Sequence, residues 1–462
     1  MMDAQRPVRR RRRRKESHGL WQTPVRPLIL LAVVLFVLIL VLEPGDQATA
    51  DLDLLANPTG TTESLSTTPL PTEPPSGKIA TATIGSTGDM ILHTRVIEGG
   101  KKSDGSYDFD SIFTYVAEDV AGVDYSVINM EGTLCGEDNG YPYKGYPRFN
   151  APDAIVDAAK DAGFDMMLTA NNHSYDTGSA GFIRTQEVIA SRGLDYIGTR
   201  LQADDPNYLI QEIGGIRVGM TCYTFDTGTN SDGSKSINSI PMTTADSRRI
   251  NTFNNWSPED LYQKLEPEMA AMREAGAECI VLFIHWGDEY KTVPNNRQRI
   301  MAQTLCDMGV DVIVGSHPHV IQPVELLTSE NGHTTLCLYS LGNAVSNIRT
   351  EDGFGSHTED GMFFTFTLAK YSDGTVLVER AEILPTWVNR YTSAETGREV
   401  FAILPLTRDV DWQTAYGLSS TALTEAEASL KRTQEIVSEP LNAVNTELAR
   451  LQAQAEAAMD PA

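Results

Sequence analysis

The chain has 462 residues, 62 of them acidic against 37 basic, and a net charge of −25 at pH 7. So acidic a polymer repels phosphate backbones, which disfavours nucleic acid as a partner, a basic N-terminal tail being the weaker reading that would allow it, and favours solubility for most of the chain. The five cysteines, Cys135, Cys222, Cys279, Cys306 and Cys337, lack CxxC or other ligand-like spacing; they argue against a thiolate zinc site and read as buried, inert thiols, although an oxidising exterior would permit up to two bridges.

The first element in chain order is a basic tail, residues 1–26. It holds nine Lys and Arg, including the unbroken run Arg9 to Arg14 and then Lys15, against only Asp3 and Glu16, so the remaining residues carry −32. An apolar stretch follows, with no polar side chain from Leu28 to Leu42. Extended back to Pro24 it is long enough to span a bilayer, with Arg26 reaching for the headgroups. Arginines on its N-terminal side hold that side in the cytoplasm, so residues 27–43 are expected to form a single-pass signal anchor and everything beyond them to be extracytoplasmic. Ala48-Thr49-Ala50 also offers a signal-peptidase site; the length of the apolar core favours an uncleaved anchor. Residues 44–78, rich in Thr, Pro, Ser and Gly from Asn57 to Gly77, read as a linker with too little apolar surface to fold.

Residues 79–390 alternate short apolar runs with helical patterns, the mark of one α/β domain. Strands are expected at Ala80 to Ile84, Tyr125 to Asn129, Asp165 to Thr169, Asp195 to Ile197, Arg217 to Phe225, Cys279 to His285, Val310 to Val314 and Thr335 to Tyr339. Helices are expected at Ala154 to Ala162, Gly181 to Arg192, Pro258 to Ala275 and Asn296 to Met308. Gly361 to Leu368 and Thr375 to Leu384 flank Ser372-Asp373-Gly374, a hairpin signal that makes the sheet mixed. From residue 391 to 462 the pattern becomes helical, with Leu423, Leu430, Val437, Val444 and Leu451 at sevens and Leu441 and Leu448 in a second seam. Pro440 predicts a break there into two helices of about two heptads each, packed on the domain or on each other.

Nearly every expected strand ends in residues that bind metals or donate hydrogen bonds, and the carboxyl ends of strands are where α/β sheets build sites. These are Gly88-Asp89 with His93, Asn129-Met130-Glu131, Asn171-Asn172-His173 with Asp176, His285-Trp286-Gly287-Asp288, and Gly315-Ser316-His317-Pro318-His319. Five of the eight histidines fall in these segments. Imidazole, carboxylate and amide oxygen together suit one or two divalent ions of the Zn, Mn or Fe kind. In an extended segment His317 and His319 would project to the same side. Asp89 or Glu131 could bridge two ions. Each segment alone has an ordinary reading as a turn, a helix cap or a satisfied loop histidine.

Taken in order, Gly88-Asp89-Met90-Ile91-Leu92-His93, Asn129-Met130-Glu131-Gly132, Leu168-Thr169-Ala170-Asn171-Asn172-His173, His285-Trp286-Gly287-Asp288-Glu289-Tyr290, the run Gly315 to Pro323, and Tyr339-Ser340-Leu341-Gly342-Asn343 resemble the CapA family of capsule-synthesis proteins over roughly residues 80–390. That family is associated with poly-γ-glutamate capsules, and its domain is similar to calcineurin-like metallophosphatases. The resemblance implies an α/β, metallophosphatase-like layered αββα sandwich with mixed sheets. It implies metal ligands at Asp89, His93, Glu131, Asn172, His285, His317 and His319, and a catalytic His173 with Asp176. Two features depart from the metallophosphatase pattern: His93 lies four residues after Asp89 where two is usual, and Glu131 replaces an Asp, which leaves the number of ions open. Asn129, Gln322 and Asn343 are expected at the substrate, Gln322 and Asn343 with an equal reading as loop hydrogen-bonders. Lys144 and Arg148, in the loop Tyr141 to Phe149, could hold an anionic polymer such as polyglutamate; the loop could as well be a rigid Pro-Gly turn, and Asn150 stands where the family often has Arg.

The function this implies is membrane-anchored capsule or surface-polymer biosynthesis, with ion-activated water attacking a phosphoryl or amide centre. Two alternatives stand beside it: a non-catalytic partner of a membrane polymer synthase, and a secreted metallophosphodiesterase unrelated to capsule.

Overall fold

The computed structural model describes residues 77–459 apart from 354, 356 and 395, so the basic tail, the apolar stretch and nearly all of the linker lie outside the described residues. Among the described residues no helix is long and apolar enough to cross a membrane. Two mixed sheets carry the fold. In the first, Lys78–Met90, Tyr125–Met130, Met166–Leu168 and Asp195–Ile197 run parallel, and Asp360–Tyr371, Val376–Thr392 and Glu399–Pro405 continue it as an antiparallel meander. In the second, Thr252–Asn254, Ile216–Asp226, Cys279–His285, Val312–Ser316 and Thr334–Leu338 are parallel neighbours, closed on one side by antiparallel Val324–Thr328.

Alternation along the strands explains the layering. In Cys279–His285, Cys279, Val281 and Phe283 join a core shared with Ala82, Ile84 and Val127 of the first sheet and Phe364 and Phe366 of its meander. The intervening Ile280, Leu282 and Ile284 pack outward on Leu261, Leu265 and Met272 of helix Glu259–Glu274 and on Met301 and Leu305 of helix Asn296–Met308. Ile128, Met130 and Met167 of the first sheet likewise turn away from the second, onto Ile155 and Val156 of helix Ala154–Asp161 and Val188 and Ile189 of helix Gly178–Ser191. A strand apolar on both faces reads as an unbroken hydrophobic run, as the one before His285 does. The result is a layered α/β fold. All five cysteines are buried and free, three of them, Cys222, Cys279 and Cys337, within strands.

Two expectations fail beyond residue 390. Strand Glu399–Pro405 pairs with Val376–Thr392, so the first sheet extends past the expected boundary. The C-terminal helix is one element, Ser420–Met459, and runs through Pro440. Its seam faces the sheets: Val437, Val444 and Leu448 are buried in the core between them, with Leu441 packed alongside. Burial of three such side chains contributes about 1.5–3 kcal/mol each, which outweighs the roughly 3 kcal/mol cost of an interior proline. Polar clamps fix the register, with Asn445 exchanging two hydrogen bonds with the Ala381 backbone and Arg432 forking onto buried Asp360 at 2.8 and 2.6 Å.

Candidate metal centre

The strand ends of both sheets meet, and the backbone there depends on glycine and strain. Asp89 N–H donates to Gly342 O at 3.0 Å, and a Cβ on the preceding Gly88 would lie 1.9 Å from that same oxygen, so only glycine permits the crossing. His317 and His319, on either side of Pro318, adopt φ of 96° and 56°. They converge through left-handed kinks and not, as the sequence suggested, by the side-to-side alternation of an extended segment. Left-handed residues other than glycine cost on the order of 1–3 kcal/mol each and persist where surroundings over-determine them. Here the surroundings are the site itself, since His317 N–H donates to Asp89 Oδ2 at 3.2 Å and Asn343 Nδ2 donates to His319 O at 3.2 Å.

Asp89, Glu131 and His285 form one group of mutually close potential donor atoms, and Glu289, His317 and His319 form another. The two are linked: His319 Nδ1 lies 3.2 Å from Asp89 Oδ2, and Nε2 of both His319 and His285 lies 3.8 Å from Glu131 Oε1. His285 Nε2 also sits 2.8 Å from Asn172 Oδ1 while its Nδ1 meets Ser316 Oγ at 2.9 Å. An imidazole nitrogen and an amide oxygen at that distance share either a proton or a cation, since ligands at about 2.1 Å and right angles on one ion are roughly 3 Å apart.

The donor set fits a divalent ion on physical grounds. Both Glu131 oxygens and His317 Nδ1 are buried without a hydrogen-bond partner; buried lone pairs of that kind are costly unless something positive satisfies them. Electrostatics agree. Burial first, and then the Asp89 charge, hold Glu131 well above the usual carboxylate range. Burial, reinforced by neighbouring histidines, pulls His285 and His317 well below the usual imidazole range. Burial also opposes charge on His319, but Glu131 and Asp89 together outweigh it and push that group up to about 9. These residues could hold a metal ion.

Above this centre opens a cavity of about 680 Å³, lined on one side by His93, Glu131, Asn172, His173 and His319. His173 Nδ1–H donates to Asp176 Oδ2 at 2.7 Å, and that oxygen also accepts the Phe149 N–H at 2.7 Å. The Phe149 ring stands edge-on between the rings of His173 and His93. A histidine fixed by a buried carboxylate keeps one tautomer, leaving the other nitrogen for chemistry.

The remaining expected residues divide. Arg148 is exposed where it lines the cavity mouth beside Tyr146, whereas Lys144 does not line it, because its backbone pairs with Asn150 and turns the loop there. His93 lines the cavity but lies outside both donor groups, its Nδ1 accepting the Asn347 N–H at 3.3 Å. Asn129 is buried beneath, donating to Asp89 Oδ1 at 2.7 Å, and Asn343 braces His319 through Nδ1 at 3.1 Å. Gln322 lies away from the cavity, accepting from Gln298 and donating to Lys291 O. Asn150, set where the family often has Arg, instead ties the loop by bonds to Cys135 N and Tyr141 O. Sequence reasoning missed Glu289, although it stands in the quoted His285 to Tyr290 run. It also missed the small sheet of Gly228–Thr229, Lys235–Ile237 and Ile240–Pro241, whose tip, Asn238 and Ser239, lines the cavity.

Fold and site thus define a layered α/β protein with a candidate divalent-metal centre at its strand ends. A family model described as bacterial capsule synthesis protein PGA_cap matches residues 83–348, which include every donor above. The chain belongs to this CapA family. It is 29% identical over 314 residues to the PGA biosynthesis protein CapA of Bacillus subtilis (strain 168), covering 68% of this chain and 73% of that one. It is 29% identical over 281 residues to the capsule biosynthesis protein CapA of Bacillus anthracis, covering 57% of this chain and 60% of that one. A crystal structure of TT1561 of Thermus thermophilus aligns with 61% of this chain and 93% of its own at 8% identity, but its TM-score of 0.29 carries no argument.

Proposed function

We propose that this protein acts in the biosynthesis of a poly-γ-glutamate capsule or related surface polymer, through a metal-dependent hydrolase or transferase site on a metallophosphatase-like αββα sandwich. The capsule role is supported by the names of its relatives. The chemistry is supported by one observation above all: buried, unpartnered donor atoms from both sheets beneath a cavity whose mouth carries Arg148. Asp89, Glu131, Asn172, His285, His317 and His319 would hold the ion, with Glu289 completing the outer group. A divalent ion there would supply Lewis acidity and lower the pKa of water. His173, oriented by Asp176, would hold a proton at its free nitrogen for the leaving group, and Arg148 would attract an anionic substrate. Anchorage of this domain outside the cell by residues 27–43 fits the same role, as does a membrane polymer synthase as partner.

The test is metal content by elemental mass spectrometry of the full-length chain and of a His317→Ala/His319→Ala variant. We expect one or two ions per chain in the parent and loss of them in the variant, followed by activity on γ-glutamyl or phosphoester bonds. A parent that stays metal-free after incubation with Zn²⁺, Mn²⁺ and Fe²⁺ overturns the catalytic reading and leaves a non-catalytic partner of a polymer synthase.

A further inference from the structure

The small sheet of residues 228–241 has two sides. Its tip borders the metal cavity, while Lys235 belongs to a second cavity of about 570 Å³ that also takes Arg200, Arg248 and Lys264. Four cations line one groove of a domain whose overall balance is strongly acidic, and only one carboxylate, Asp232, lines it with them. Asp232 is already engaged, accepting from Ser234 and Thr244.

The pairing of the cations decides what the groove can do. Lys235 is matched by Asp226 at 3.0 Å and Lys264 by Asp260 at 2.8 Å. The two arginines are not matched. Arg200 donates to Asn251 Oδ1 at 2.7 Å, Arg248 O at 2.7 Å and Ala203 O at 3.4 Å, all of them neutral oxygens. Arg248 is exposed, and its guanidinium makes no hydrogen bond or ion pair among the described residues. Glu268, buried behind the groove with one oxygen bonded by Tyr223, and Asp205, whose Oδ2 accepts the Gln202 N–H, are the other acids that act on Arg200; neither forms an ion pair with it, and burial keeps Glu268 largely from ionising below neutral pH. Two guanidiniums, one pre-set by carbonyl oxygens and the other open to solvent, make a fork for carboxylates.

We infer that this groove is an accessory site that binds carboxylates of an anionic chain while another stretch of the same chain lies in the metal cavity, the 228–241 sheet standing between the two. This rests on the proposed polymer role, and it assigns to Arg200 and Arg248 a contact outside the reacting centre. A chain long enough to reach both cavities would bind more tightly than a fragment that fills one, because the second contact is intramolecular.

Fluorescence anisotropy with labelled long-chain poly-γ-glutamate and labelled γ-glutamyl-glutamate, on the full-length protein, tests it. Arg248→Glu should weaken the long chain roughly five- to tenfold at low salt and leave the dipeptide unchanged. His317→Ala should leave that Arg248 dependence in place, since the groove is built without the metal ligands. Long-chain binding that survives Arg248→Glu and Arg200→Lys overturns the groove and spares the polymer role. Failure of the parent to bind polyglutamate at all removes both. Inorganic polyphosphate binding through Arg248 while polyglutamate does not would also overturn the assignment. An unchanged unfolding temperature guards against a folding defect, and Arg248, being exposed, is the variant least prone to one.

Discussion

A buried carboxylate responds to pH with the opposite sign from one held in an ion pair, and Glu268 is such a group. One of its oxygens accepts from Tyr223 and Asn207, the other has no partner, and burial pushes its pKa up to about 7 from an ordinary 4.5. Between those two values the folded chain keeps a proton that the unfolded chain releases, so stability falls as pH rises through that window and stays lower above it. Glu268→Gln removes the penalty. It should therefore unfold at higher urea than the parent near about pH 8, by up to roughly 3 kcal/mol, and show almost no advantage near about pH 4. An equal gain at both would trace the effect to packing. At this scale the sequence pointed by residue type and position after strands to the candidate donors that lie together here, Asp89, Glu131, His285, His317 and His319, but not to the left-handed turns at His317 and His319 that aim them. Glu289 escaped because it is exposed in a loop steered by Gly287 and Tyr290, both at positive φ, with no periodic pattern to mark it.

Elements were legible where their patterns were strong. The strands expected at 195–197 and 279–285 and the hairpin around Gly374 fall in place, and the one expected at 125–129 runs one residue longer, to Met130. Leu209–Ile213 and Val324–Thr328 did not announce themselves, being short and only half-buried. In the C-terminal helix the seven-residue spacing marks the buried face correctly, yet that face meets two sheets and not another helix, and tertiary burial there overrides the proline. Leu448→Ala should accordingly cost about 2–5 kcal/mol in urea unfolding, as for any core leucine, while the folded fraction shows the same metal content as the parent. A loss under about 0.5 kcal/mol, the usual level for surface positions, would show the helix to be an appendage after all.

At the scale of the whole molecule, composition and alternation were enough for a mixed α/β body, because strands apolar on both faces demand cover on both. Which sheet would face which could not be read, since contacts between Ala82, Val127 and Phe283 join residues remote in sequence. Gly77, where the described chain begins, accepts a hydrogen bond from Ser372 N–H, and a Cβ placed on it would lie 3.1 Å from Met459 Sδ at the far end of the last helix. Residues 77 and 459 thus lie side by side, so the path of the chain between them is nearly a closed loop, and the point where that loop is cut matters less than the contacts it makes. A circular permutant that joins 459 to 77 by a short Gly-Ser bridge and opens at the exposed turn Asn331-Gly332 should fold and bind metal like the parent. If instead it aggregates, the order in which the sheets are threaded, and not their final contacts alone, governs how this protein reaches its structure.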